Sequence, residues 1–258
     1  MFLGIKDTIS SKNKLSLTIK MINPMQERKQ SVRIQTSILN AAERKLLIWL
    51  AERMPKWVTS DMLTFIGFIG ALIIATGYAL TNRNINWLWL ACFGFFVNWF
   101  GDSLDGSLAR VRKAQRPIYG FFLDHNVDCI NESIMFIGVG LSSLMSLTSA
   151  LFVLSAYLLL SVYVYINAHL KNEFKLTYAG LGPTEFRIIA VIVNLILLYV
   201  APIREFTCDI RLFGFNVSLQ MLDIVALVIA FVILMMYLVS LLKDAREFSK
   251  IDPPKKAE

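Results

Sequence analysis

Four aspartates in two closely spaced pairs are the residues of this sequence best suited to chemistry. Asp102 and Asp105 are three residues apart and Asp124 and Asp128 are four apart, so each pair shares one face if its segment is helical. Carboxylate oxygens suit Mg²⁺, Mn²⁺ or Ca²⁺, and Mg²⁺ is commonly held by a few carboxylates together with substrate phosphates. The spacing therefore predicts a divalent-metal site that handles a phosphorylated substrate.

The surroundings of these carboxylates are apolar, which argues against two ordinary solvated helix ends. One apolar run leads directly into Asp102, and another follows Glu132. An aspartate near the middle of a bilayer costs roughly 2.5–3.5 kcal/mol on insertion scales, so acids within membrane segments are candidates for function. Four acids on two consecutive apolar segments favour the metal site.

Small residues lie beside the acids. Gly106 and Ala109 continue the face of the first pair, and Gly120 lies one turn before Asp124. A ligand or a neighbouring helix can approach the backbone closely at such positions. Arg110, one turn after Gly106, is placed to complement a phosphate.

This stretch resembles a known family. The pattern Asp102-x-x-Asp105-Gly106-x-x-Ala109-Arg110, followed by Gly120-x-x-x-Asp124-x-x-x-Asp128, is similar to the signature of the CDP-alcohol phosphotransferases, integral membrane enzymes that make phospholipid head-group linkages. The linker between Arg110 and Gly120 is one residue longer than the family pattern, which predicts a small insertion beside Pro117.

The resemblance implies transfer of a substituted phosphate from a CDP-linked donor to an alcohol or lipid acceptor, with release of CMP. One or two Mg²⁺ or Mn²⁺ ions would neutralise charge on the diphosphate. It also implies a homodimer formed through helix packing. The expected metal ligands are Asp102, Asp105, Asp124 and Asp128, and the expected donor-binding residues are Gly106, Ala109, Arg110 and Gly120.

Two residues compete for the role of catalytic base. The resemblance gives that role to Asp128. His125 follows Asp124 directly and should point about 100° round the helix from the metal face. Asp-His-x-x-Asp at this place also resembles the choline/ethanolamine phosphotransferase branch, where the histidine is a candidate base, although a lone histidine in a membrane helix is often a packing residue. The sequence leaves both candidates open.

A second feature resembles the same branch. Gly182-Pro183-Thr184-Glu185 is similar to a run found there, but Pro, Thr and an early Glu are also ordinary residues for a helix start. Arg187 lies one turn inside this helix. It is expected either to bind phosphate or to pair with Glu185 or an aspartate.

The elements that must position these residues are read from the apolar pattern. Residues 37–54 predict an amphipathic helix that lies along the membrane interface or packs against the helix bundle, and these two placements are compatible. Thr59 or Ser60 should cap the first span. Six segments have the length that a bilayer requires: 62–81, 86–105, 118–142, 147–169, 183–202 and 219–242.

Composition and charge agree with an all-α integral membrane protein of six transmembrane helices preceded by that interfacial helix. Of 258 residues, 56% are hydrophobic and the mean hydropathy is +0.57. Among 26 lysines and arginines, only Arg83, Arg204 and Arg211 fall on the outer side of this topology, so both termini and the aspartates should be cytoplasmic. The net charge of +7 then faces anionic lipid rather than nucleic acid.

These inferences divide the chain into four parts. We expect a basic cytoplasmic arm at 1–36, the interfacial helix at 37–54, a six-helix catalytic domain at 55–242 and a basic cytoplasmic tail at 243–258.

Several functions fit this organisation. The six-span architecture favours transfer from CDP-diacylglycerol to a small polar alcohol of the inositol, inositol phosphate or glycerol phosphate type. The alternative is a choline/ethanolamine phosphotransferase that uses a CDP-linked head group and diacylglycerol. A cation transporter or an inactive scaffold is less favoured, because the outer halves of the spans lack polar, broken helices.

Overall fold

The computed structural model describes residues 32–34, 39–171, 173–175, 182–212 and 215–253. Within these ranges the chain is mostly helical, with eight α-helices and one 3₁₀ helix, Ile85–Trp87. The α-helices are α1 (Asn40–Arg53), α2 (Ser60–Leu80), α3 (Leu88–Val111), α4 (Pro117–Gly140), α5 (Leu147–Lys171), α6 (Pro183–Tyr199), α7 (Ala201–Arg204) and α8 (Met221–Ile251). The predicted helices are therefore present, and most of the expected arm, 1–36, lies outside the described residues.

Four short strands correct the all-α prediction. β1 (Val32–Ile34) pairs in parallel with β2 (Glu173–Lys175), and β3 (Thr207–Leu212) pairs antiparallel with β4 (Phe215–Gln220). The second pair lies between the predicted spans 183–202 and 219–242, where no strand was predicted, and its last residues, Leu219 and Gln220, fall at the start of the predicted last span. The sequence analysis missed an alternation of apolar and polar residues with a period of two. Its apolar members pair across the strands, with Cys208 opposite Leu219 and Ile210 opposite Val217. Polar residues between these positions hide the alternation.

Three of the helices, α2, α5 and α8, are long and apolar enough to cross a membrane. The other three predicted spans correspond to α3, α4 and α6. Helix α3 continues past the predicted end of its span at residue 105 as far as Val111. Asp102, Asp105 and Arg110 are therefore fixed on one continuous helix. The crossing of α3, α4 and α6 through the membrane remains a prediction.

Helices α2 and α3 approach each other backbone to backbone through glycines. A Cβ atom at Gly101 would lie 2.5 Å from the Leu63 carbonyl oxygen and 2.7 Å from Gly67 Cα, and one at Gly70 would lie 2.6 Å from Asn98 Cα. Small residues permit such close packing between membrane helices, where van der Waals contact drives association. Asn98 adds a buried hydrogen bond from its Nδ2 to the Gly67 carbonyl at 2.9 Å. This crossing fixes the helix that carries Asp102.

The start of α2 confirms the predicted cap, since Thr59 Oγ1 accepts a hydrogen bond from Met62 N at 3.2 Å. Helix α1 also matches the helix predicted at 37–54. Its Leu47 and Ala51 are buried in one cluster with Leu104 and Leu108 of α3. Helix α1 thus packs against the bundle, while its location at the membrane interface remains a prediction.

Candidate active site

The first acidic pair is held by residues of α2 and α3. Asp105 is buried, and its Oδ2 accepts a hydrogen bond from Thr64 Oγ1 at 2.6 Å, while Oδ1 accepts one from Gly106 N. One turn earlier on α2, Ser60 Oγ donates to the Asp105 carbonyl at 2.6 Å. Because both α2 residues contact Asp105, the tight crossing of the two helices orients this carboxylate.

Asp102 is paired with a cation from a distant helix. Arg187 of α6 donates from Nη2 to Asp102 Oδ2 at 2.5 Å and from Nε to Asn98 Oδ1 at 2.9 Å. The two charged side chains are 15% and 21% exposed, so this ion pair is largely screened from solvent. Of the sequence alternatives for Arg187, the structure shows pairing with an aspartate.

The second acidic pair lies on α4 with His125 beside it. One ligand atom each from Asp124, His125 and Asp128 falls within 4.8 Å of the others. The His125 ring lies between aromatic rings, with centroids 4.0 Å from Phe121 and 4.8 Å from Tyr165 of α5. His125 is therefore closer to the acidic face than its 100° offset suggested, because its ring folds back towards Asp124, with Nδ1 and Oδ2 3.5 Å apart.

The two acidic pairs are close enough for their charges to interact. Asp105 is repelled by Asp102 on its own helix and by Asp124 across the gap, and Asp128 is likewise repelled by Asp102 and Asp124. Arg187 attracts Asp128 and so offsets part of this negative charge. The compact group of potential ligands is Asp124, His125 and Asp128. Asp102 is paired with Arg187, and Asp105 accepts a hydrogen bond from Thr64. A metal site formed by all four aspartates remains a prediction.

Glu132 is a site residue that the sequence analysis did not include. It lies one turn after Asp128 and interacts electrostatically with Arg187, Asp102 and Tyr157 of α5. The four-residue spacing from Asp128 is the signal that could have identified it. Asn98 and Thr64 were also missed, because nothing in their local sequence shows that they contact Arg187 and Asp105.

The predicted donor-binding positions border open space. A Cβ atom at Gly120 would meet no other atom of the described residues within 4 Å, and one at Gly106 would meet Arg110 Nη1 at an ordinary 3.5 Å. Ala109 on the same helix is half-buried. Arg110 donates from Nη2 to Ser107 Oγ at 2.9 Å. These two glycines are therefore not required by helix packing, unlike Gly101.

The linker that contains the extra residue is tied to the segment between α1 and α2. Arg112 donates to the carbonyl oxygens of Met54, Pro55 and Val58, and Arg116 forms an ion pair with Asp61. These bonds fix where α4 begins relative to α3, and hence the gap between the two acidic pairs.

An apolar groove of about 500 Å³ lies between α1, α3 and α6. Its apolar walls include Leu46, Phe95, Phe96, Ile188 and Ile192, and its polar lining includes Glu43, Thr184 and Arg187. Since Arg187 binds Asp102, the groove adjoins the acidic site directly.

The sequence model of the CDP-alcohol phosphatidyltransferases matches residues 57–241, which includes both acidic pairs, the linker and Arg187. The chain belongs to the CDP-alcohol phosphatidyltransferase family. Membership of this family favours an enzyme over the transporter and scaffold hypotheses. It also agrees with the three helices that are long and apolar enough to cross a membrane.

Curated relatives match this chain over part of their length. A phosphatidylinositol phosphate synthase of Cutibacterium acnes is 37% identical over 84 residues, and the aligned region covers 33% of this chain and 38% of that protein. An archaetidylinositol phosphate synthase of Methanothermobacter thermautotrophicus is 31% identical over 130 residues, 46% of this chain and 63% of that protein. Cholinephosphotransferase 1 of Gallus gallus is 28% identical over 96 residues, 35% of this chain and 28% of that protein. The chain thus spans less than two thirds of the length of each relative.

Proposed function

We propose that this enzyme transfers a phosphatidyl group from CDP-diacylglycerol to a small polar alcohol of the inositol, inositol phosphate or glycerol phosphate type. The observation that carries the proposal is the apolar groove that ends at the Arg187–Asp102 pair. A donor with two long acyl chains and a charged diphosphate has the same division into apolar and polar parts.

The size and composition of the groove support a lipid donor. A volume of about 500 Å³ is within the range of small-molecule sites, and its walls are mostly aliphatic and aromatic side chains. Acyl chains in the groove would leave the diphosphate beside Arg187 and the acidic pairs. The open space at Gly106 and Gly120 gives the CDP part room to approach the backbone of α3 and α4.

The relatives support an inositol phosphate acceptor within the broader class of polar alcohols. Two of them are named as synthases of phosphatidylinositol phosphate and archaetidylinositol phosphate. A phosphorylated acceptor needs cationic partners near the site, and Arg187 and Arg110 are suitably placed to supply them.

The donor atoms at the site fit Mg²⁺ or Mn²⁺, because carboxylates predominate and one imidazole is present. A bound divalent ion would neutralise charge on the donor diphosphate. Asp102, Asp105, Asp124 and Asp128 are the proposed ligands.

The proton of the reaction goes to a side chain of α4. The acceptor oxygen forms a bond to the phosphorus that carries diacylglycerol, the bond from that phosphorus to the CMP oxygen breaks, and the hydroxyl proton passes to Asp128 or His125. Arg187 holds Asp102 in place and bears positive charge beside the reacting phosphates. Tyr165 and Phe121 hold the His125 ring against Asp124.

One observation favours a second candidate, a choline/ethanolamine phosphotransferase. The ring of His125 lies within the acidic group, and the matching part of cholinephosphotransferase 1 is 28% identical. In that reaction the groove would hold the diacylglycerol acceptor instead of the donor.

The proposed topology has six spans, with both termini and the active site on the cytoplasmic side. It rests on the six long helices, α2 to α6 and α8, and on the distribution of lysine and arginine. We also propose the four-part division of the chain and a homodimer, both expected from the sequence.

The test is CMP release by purified enzyme in lipid nanodiscs with Mg²⁺ or Mn²⁺. CDP-diacylglycerol is offered with inositol, inositol phosphate and glycerol phosphate in turn, and the phosphatidyl product is identified by mass. Release that depends on one alcohol supports the proposal. Turnover only of CDP-choline or CDP-ethanolamine with diacylglycerol would replace it with the second candidate.

A further inference from the structure

Glu43 of α1 joins three helices at a single carboxylate oxygen. Its Oε1 accepts a hydrogen bond from Thr184 Oγ1 of α6 at 2.6 Å and another from Trp99 Nε1 of α3 at 2.9 Å. The side chain is half-buried. Hydrogen bonds to a charged acceptor are stronger than those between neutral groups, so these two bonds hold α1 to α6 and α3, which are far apart from it in sequence.

The same three helices form the walls of the apolar groove, and both donors lie one turn from the acidic site. Thr184 precedes Arg187 by three residues on α6, and Trp99 precedes Asp102 by three residues on α3. Glu43, Thr184, Trp99 and Arg187 all line the groove. The position of α1 is therefore coupled to the groove at the end where the charged part of a substrate must lie.

A second bond holds α1 against α6. Glu185 accepts a hydrogen bond from Leu39 N at Oε1 and one from Gly182 N at Oε2, both at 3.0 Å. Thr184 and Glu185, two residues of the Gly-Pro-Thr-Glu run, thus both bond to α1. Simple helix capping accounts for the bond to Gly182 but not for the bonds to α1.

We propose that Glu43 is a positioning residue that holds α1 across the groove and so sets the affinity for the lipid that occupies it. This inference rests on the proposed function for the identity of that lipid, the diacylglycerol part of the CDP-linked donor. Glu43 lines the groove and is not one of the acidic ligands, so it acts on lipid binding and not on the chemical step.

The kinetic test compares Glu43→Ala with Glu52→Ala. Glu52 lies on the same helix but is exposed, and it makes no hydrogen bond or ion pair within the described part of the chain, so its replacement controls for loss of a charge from α1. Glu43→Ala removes both hydrogen bonds to Oε1, so we expect it to raise the KM for CDP-diacylglycerol about tenfold or more while kcat stays within about twofold. Glu52→Ala should match the wild type.

Three further variants separate geometry from charge. Glu43→Gln keeps an oxygen that can accept both bonds and should restore the KM to within about threefold of the wild type. Thr184→Val removes one donor and should raise the KM, whereas Thr184→Ser keeps the hydroxyl and should not. An unchanged KM for CDP-diacylglycerol in Glu43→Ala, or a fall in kcat alone, would overturn the proposal. An equal rise of this KM in Glu43→Gln and Glu43→Ala would also overturn it.

Amide hydrogen exchange tests the link without any turnover. In Glu43→Ala, peptides from α1 should exchange faster than in the wild type while peptides from α2 and α5 do not change. Unchanged exchange in α1, or equal acceleration in all helices, would refute a specific link. If the wild type turned over no CDP-linked donor, the proposed function would fail, and the exchange result would still decide whether Glu43 holds α1 in place.

Discussion

Replacing Gly120 by alanine should impair catalysis without harming the fold. Gly120 lies in the first turn of α4, one turn before Asp124. A Cβ atom there would meet no described atom within 4 Å, so the protein itself has room for the methyl group. If the donor occupies that space, the methyl group meets the donor instead.

The expected magnitudes follow from these contacts. Alanine is favoured over glycine in a helix by roughly 0.5–1 kcal/mol, so Gly120→Ala should leave stability unchanged or slightly raised. Crowding in a packed site costs about 1–3 kcal/mol, which predicts a fall of about 5- to 150-fold in kcat/KM. Stability and activity should therefore move in opposite directions.

Gly101→Ala is the matched control on α3. Its Cβ atom would lie 2.5 Å from the Leu63 carbonyl oxygen and 2.7 Å from Gly67 Cα. Both contacts are to backbone, which cannot swing aside, so we expect a loss of about 3 kcal/mol and reduced yield of folded protein. The same substitution thus separates a glycine needed for helix packing from a glycine reserved for substrate.

Thermal unfolding in detergent, followed by size-exclusion chromatography, measures stability, and CMP release measures activity. Full activity in Gly120→Ala would refute the assignment of this space to the donor. A loss of stability in Gly120→Ala as large as that in Gly101→Ala would show that the geometry of α4 is not as described.

Three further predictions concern the charged residues. Asp105→Asn and Asp124→Asn should each abolish CMP release while membrane insertion is retained, and turnover in both variants would contradict the proposed chemistry. Arg187→Gln leaves Asp102 without its cation, which should cost up to about 3–5 kcal/mol of stability. Because Arg187 also bears charge beside the reacting phosphates, kcat/KM should fall about 100-fold or more. An effect no larger than that of Glu52→Ala would exclude a role for the pair. Asp61→Asn breaks an exposed ion pair with Arg116, so the unfolding temperature should barely change, since such pairs contribute at most about 1 kcal/mol.

The local sequence pattern was sufficient to predict the helices and the shared helix face of each aspartate pair. Apolar runs of the right length predicted the long helices, and three- and four-residue spacings placed each aspartate pair on one face. The cap at Thr59 and the helix start at Pro183 were also predicted, because caps depend on residues next to each other in the chain. The β3–β4 hairpin was missed, because its alternation is masked by polar side chains and its pairing joins residues on two strands.

The sequence by itself determined the helical character of the chain, the two acidic pairs and the resemblance to the family, since each depends on residue types at short, fixed spacings. Only the tertiary structure decided which partners those acids have. Arg187 lies 85 residues from Asp102, and Thr184 lies 141 residues from Glu43. The packing of α6 against α3 and α1 makes these contacts. No local spacing specifies them, because they depend on how whole helices cross.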